Sequence, residues 1–156
     1  MSAFRLRPWI PVLVWAAVIF SLSTALFSDD HTSAILIPAF HRLLPRANDA
    51  QLLLLHHLTR KAAHLTEYFI FGWLLLIAIR GPERGWKLRW ALLALLIAAG
   101  YSATDEWHQS FVPGRNSSAW DSLLDTTGAA AALPAAWIAF RRQQQSDYSA
   151  VRSRAA

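Results

Sequence analysis

Cysteine is absent from the 156 residues, which excludes disulfides and thiolate metal sites and leaves the compartment open. Charge is scarce: 16% of residues are Asp, Glu, Lys or Arg, against 54% hydrophobic, which is too apolar for an ordinary soluble domain. There is no internal repeat, no recognised nucleophile motif and no established zinc spacing. The composition fits a bilayer as solvent. The net charge of +5 is therefore a topology signal and not a nucleic-acid signal.

Four apolar stretches have the length to cross a hydrocarbon core of about 30 Å, which takes roughly 20 residues in a helix. They lie near residues 9–27, 62–79, 88–104 and 121–140. The fourth is Ala-rich, begins with Asp121, Asp125, Thr126 and Thr127, and contains Pro134, which neighbouring helices tolerate in a membrane. The first follows Arg5 and Arg7 as a signal peptide would. Its apolar run is long, however, and Thr24-Ala25-Leu26 is a poor cleavage site, so an uncleaved anchor is expected.

Lys and Arg near the spans set the orientation. Ten basic residues fall on one side: Arg5 and Arg7, four in the loop 80–89, and four after the last span. Five, namely Arg42, Arg46, Arg60, Lys61 and Arg115, fall on the other. Both termini are predicted to be cytoplasmic. Trp9, Trp86 and Trp90 at the inner boundary, with Trp107 and Trp120 at the outer one, match the aromatic preference for headgroup level.

The connection 28–61 is too long and too apolar for a plain loop. Pro38 and Pro45 divide it; residues 35–44 read as an amphipathic piece on the outer membrane surface, and Asn48 or Asp49 caps a helix that can run into the second span. His31, His41, His56 and His57 read as surface or interfacial. Residues 1–142 form the membrane domain, and the polar tail 143–156, without periodicity, is predicted to be disordered. The fold class is all-α: an integral membrane four-helix bundle with a partly helical interfacial segment between the first two spans.

Ionisable groups at membrane depth are costly, so their clustering marks where function is to be sought. Three clusters stand at the predicted outer ends. In Arg60-Lys61-Ala62-Ala63-His64-Leu65-Thr66-Glu67-Tyr68, His64 and Glu67 share a helix face that Arg60 extends by a turn. In Tyr101-Ser102-Ala103-Thr104-Asp105-Glu106-Trp107-His108-Gln109, continued helix puts Asp105, His108 and Gln109 on one side and Glu106 about 100° away. The third cluster turns the chain at Pro113-Gly114, carries Arg115, and leads through the cap Ser118 to Asp121 and Asp125. Arg115 suits a carboxylate or an anionic ligand by its planar fork.

At these residues the chain resembles the VanZ-like family of small bacterial membrane proteins. The match rests on Lys61-Ala62-Ala63-His64 to Glu67-Tyr68, on Asp105-Glu106 to His108-Gln109, and on Gly114-Arg115 to Asp121 with Asp125-Thr126-Thr127-Gly128. Ser21 and Ser23 near the end of the first span also match. The resemblance implies a multi-pass protein of the bacterial cytoplasmic membrane working at the cell envelope. Through the family namesake it implies a link to susceptibility to the glycopeptide teicoplanin. It implies no settled reaction, and the cofactor is unknown.

Two classes of function stay open. In the first, a membrane enzyme acts on a lipid-linked or anionic envelope substrate, with His64, Glu67, Asp105 and Glu106 as acid–base residues and Tyr68, Gln109, Arg115, Asp121 and Asp125 binding the ligand. In the second, the same residues bind a lipid, an envelope precursor or a partner protein without catalysis, or serve only as interhelical clamps. Serines in such clamps are worth roughly 0.6 kcal/mol each. A metal through His64, Glu67 and an acid of the second cluster is not favoured. A proton-coupled transporter is weaker still, because the cytoplasmic halves of the spans lack matching ionisable groups.

Overall fold

The computed structural model describes residues 6–112 and 117–155, with side chains through residue 146 except at Leu26. Among them the chain is helical with no strand. After a short 3₁₀ turn come α1 (Ile10–Leu22), α2 (Asp29–Leu43), α3 (Asp49–Arg80), α4 (Leu88–Gln109) and α5 (Ala119–Ala155). α3 and α5 are long and apolar enough to cross a membrane, and α1 with its preceding turn is a shorter apolar helix.

α3 starts at a capping box. Asn48 Oδ1 accepts from the Gln51 amide and Gln51 Oε1 accepts from the Asn48 amide, each at 3.0 Å, which satisfies two orphan donors reciprocally. From there 32 residues run without a break to Gly81, whose φ of +57° closes the helix. The helix capped at Asn48 and the second apolar span are therefore one element, the arrangement the sequence allowed.

Two expectations are corrected. Pro38 does not divide the connection: α2 passes through it, and because Pro38 is exposed, the carbonyl it frees can turn to its surroundings. The tail expected to be disordered continues α5 as helix to Ala155. A helix needs no apolar period to form there, because Arg, Gln and Ala are good helix formers whatever they face.

The core is a seam of small and apolar residues at helical spacing. On α4 it runs through Ala91, Ala94 and Ala98 and then turns polar at Ser102, Asp105, Glu106 and Gln109. On α5 it runs back from Asp125 through Ala129, Ala132 and Ala136 to Phe140. α3 faces both with Tyr68, Phe71, Leu75 and Leu76. Glycine sets the α3–α5 spacing: a Cβ on Gly128 would lie 2.5 Å from the Leu65 carbonyl oxygen, and one on Gly72 would lie 2.8 Å from that of Ala129. Many other large side chains point outward, including Leu13 and Val14 on α1, Leu92 and Leu96 on α4, and Leu123 and Ile138 on α5.

α1 is fastened by polar bonds. Trp15 Nε1 donates to the Glu67 carbonyl at 2.9 Å, and the Tyr101 hydroxyl donates to the Ala16 carbonyl at 2.6 Å. At the bundle end far from Asp125, cations lie over aromatic rings: Arg80 is 4.1 Å from the Phe140 centroid, Lys87 4.8 Å from Trp90 and Arg141 4.5 Å from Trp137. In the adjoining turn, Lys87 hydrogen-bonds Glu83 and holds its carboxyl below the usual carboxylate range.

Candidate functional site

The polar end of the seam gathers residues from four helices. Asp125, nearly two turns into α5 and fully buried, lies with Oδ1 3.1 Å from His64 Nδ1 on α3. With the carboxylate as acceptor, Nδ1 carries the proton, which sets the tautomer of the ring. The other carboxylate oxygen accepts from Ser102 Oγ on α4 at 3.0 Å. The same hydroxyl also lies 3.0 Å from Ser122 Oγ on α5. One aspartate thus ties α3, α4 and α5 together.

Asp105 forms a second knot, between α4 and α1. Its Oδ2 accepts from Ser23 Oγ at 2.8 Å and from Gln109 Nε2, one turn on, at 2.9 Å. Its Oδ1 is buried without a protein hydrogen bond, and Tyr68, fully buried beside Ser102, packs at the same end of the seam. An unsatisfied buried carboxylate oxygen is uncommon and costly, which sets this cluster apart from an ordinary interhelical clamp.

Glu106 also turns inward, although it lies about 100° round α4 from Asp105. The buried sector of α4 is wide at this end because α5 begins there. Glu106 Oε2 accepts the Ser118 amide at 2.8 Å, while Ser118 Oγ accepts the Trp120 amide at 3.2 Å. Ser118 is the N-cap of α5 as its sequence position predicts, and Glu106 supplies from a different helix the carboxylate that a capping box takes from within. Asp121, one residue beyond Trp120, lies 3.9 Å from Lys61 on the half-exposed surface.

Beside these knots is a cavity of about 160 Å³ whose polar wall is Ser23, Thr32, Arg60, His64 and Glu67, with Leu22 on its apolar side. Arg60 is fixed there by Nη1 donating to the Phe27 carbonyl at 3.2 Å and to Thr32 Oγ1 at 3.0 Å, with Nε 3.4 Å from Asp29. One turn earlier on α3, His56 is buried against α2, its Nε2 3.1 Å from Thr32 Oγ1. It shares the α3 face that α2 covers, which corrects the interfacial position expected for it.

Sequence-predicted residues therefore fall into several groups. His64 meets Asp125, Asp105 meets Gln109, and Glu67 and His64 share the cavity wall. Glu106 instead faces the start of α5, and Asp121 pairs with Lys61. His108, expected beside Asp105, is half-buried against the Phe20 ring at 4.7 Å. Arg115 and the Pro113-Gly114 turn lie outside the described residues. Among the described residues no three His, Asp or Glu side chains converge to hold a metal. The reading from sequence missed Ser102 and Ser122. Ser102 was legible as the first member of the i, i+3, i+4, i+7 stripe with Asp105, Glu106 and Gln109.

A family model described as VanZ/LLP1 matches residues 8–140. The chain belongs to this family. The matched span includes every described residue of the site. No curated protein and no solved structure matches significantly.

Proposed function

We propose that this VanZ-family protein is a multi-pass protein of the bacterial cytoplasmic membrane, with α1, α3, α4 and α5 crossing and both termini in the cytoplasm. In this reading the polar seam end and its cavity face outward, to bind the anionic headgroup of a lipid-linked envelope component. Several features support the membrane reading. Alanine lines the α4 and α5 sides of the seam and glycine the α3–α5 contact, while many large apolar side chains are exposed, as expected where lipid gives helices no hydrophobic reason to associate. The excess of Lys and Arg gathers at the end where Arg80, Lys87 and Arg141 cover aromatic rings.

The observation that carries the ligand reading is the cavity itself. It sets a guanidinium, an imidazole and the Glu67 carboxylate beside an apolar wall, a concentration of ionisable groups that a bundle of apolar helices ordinarily excludes. A phosphate on an isoprenoid or acyl chain matches both halves of that lining. The His64–Asp125 pair favours acid–base chemistry on the bound headgroup as a second reading, since a carboxylate fixes and supports the imidazole as it does in general-base pairs. A link to teicoplanin susceptibility follows if the headgroup belongs to a cell-wall precursor.

The test is ligand-induced thermal stabilisation of the purified protein by a polyprenyl phosphate, with the uncharged polyprenol as control. The phosphate is expected to raise the melting temperature more than the alcohol does, and Arg60→Gln and His64→Gln are expected to remove the difference. Equal shifts from both lipids would refute an anion site.

A further inference from the structure

α3 holds 32 residues, which at 1.5 Å each makes about 48 Å, roughly 18 Å more than the hydrocarbon core. The excess is about twelve residues, and it falls at the N-terminal end, where α2 folds back on α3. That elbow is not polar. Leu43 is 76% exposed, Leu54 57% and Leu58 53%, and with Leu44, Leu55 and Arg46 they line an open groove of about 840 Å³.

The groove lies apart from the polar site. On α3 it uses Leu54, Leu55 and Leu58, whereas the cavity uses Arg60, His64 and Glu67, on the opposite helix face. Its size is that of a small-molecule pocket. Arg46 is the single charged residue lining it, and Arg42 is exposed one turn earlier, at the end of α2. Asp49, the acid closest in sequence, sits in the first turn of α3 and outside the lining. An apolar trough with a basic rim has the complementarity of an anionic amphiphile.

We propose that the α2–α3 elbow is a second binding site, taking one acyl chain of an anionic phospholipid from the adjoining leaflet along Leu44, Leu54 and Leu58 while its phosphate meets Arg46. Tilting of α3 brings the elbow toward the headgroup layer, so that part of the excess length of α3 is seated in lipid. This rests on α3 being a membrane span, which co-flotation of the reconstituted chain with vesicles checks separately.

Because the chain has no cysteine, Leu54→Cys gives one labelling site at an exposed position. The full chain carrying an environment-sensitive fluorophore there would be reconstituted in phosphatidylcholine vesicles and titrated with phosphatidylglycerol bearing a nitroxide on its acyl chain. The expected result is strong quenching by the nitroxide lipid, weak quenching by aqueous iodide, and an apparent affinity for phosphatidylglycerol that Arg46→Gln lowers about fivefold. Quenching by iodide without quenching by lipid would overturn the proposal and place the groove in water. Protection from both quenchers, with cross-links between labelled chains, would overturn it in favour of a second copy. A chain that does not float with the vesicles would overturn this inference and the membrane reading together.

Discussion

Asp125 and Asp121 show how depth changes the worth of a carboxylate. Asp125 is fully buried and accepts from His64 and Ser102, so Asp125→Ala removes one acceptor and strands two donors; a loss of about 3 kcal/mol or more is expected. Asp121 pairs with Lys61 at 3.9 Å with both side chains more than a third exposed, and Asp121→Asn is expected to cost under about 1 kcal/mol. Thermal unfolding of the two variants side by side checks the contrast, and equal losses would refute it. Glu106→Gln keeps an acceptor for the Ser118 amide, whereas Glu106→Ala leaves that amide unpaired at a cost of about 1–3 kcal/mol. A Glu106→Gln variant as unstable as Glu106→Ala would mean that the charge, and not the hydrogen bond, matters there.

Between elements, the spacing of α3 and α5 depends on having no side chain at Gly128. A methyl group there meets the Leu65 backbone oxygen at 2.5 Å, and backbone in two packed helices has little room to move away. Gly128→Ala is expected to lower stability by about 3 kcal/mol. Gly100 lies on α4 with nothing within 4 Å of an added Cβ, so Gly100→Ala is expected to be neutral or to gain up to about 1 kcal/mol from helix propensity. Melting temperatures that move in the same direction for both would show that helix packing does not govern the α3–α5 seam.

For the whole molecule, the charge distribution predicts the side on which each connection lies. With no native cysteine to interfere, His41→Cys at the end of α2 and Pro82→Cys in the α3–α4 turn each create one reporter at an exposed position. In intact cells a membrane-impermeant maleimide is expected to label His41→Cys and to reach Pro82→Cys only after the membrane is opened. The opposite pattern would invert the topology and put the cavity at the cytoplasmic face.

Much of this was written in local sequence. Asn48 and Gln51 specify the start of α3, and Ser118 specifies that of α5, because caps act over three residues. The alanine spacing of α4 and α5 is periodic whatever it packs against. The clustering of His64, Glu67, Asp105, Glu106 and Asp125 near span ends was equally visible, since ionisable residues stand out against apolar ones. The pairings were decided by tertiary structure. His64 hydrogen-bonds Asp125, sixty-one positions on, because Gly128 lets α5 approach α3 closely enough for the two side chains to meet. Ser102 and Ser122 became part of the site for the same reason: a serine reads as ordinary until two helix faces bring it to a buried carboxylate. Composition and periodicity determine which residues turn inward, while the distance between helix axes determines which of them touch.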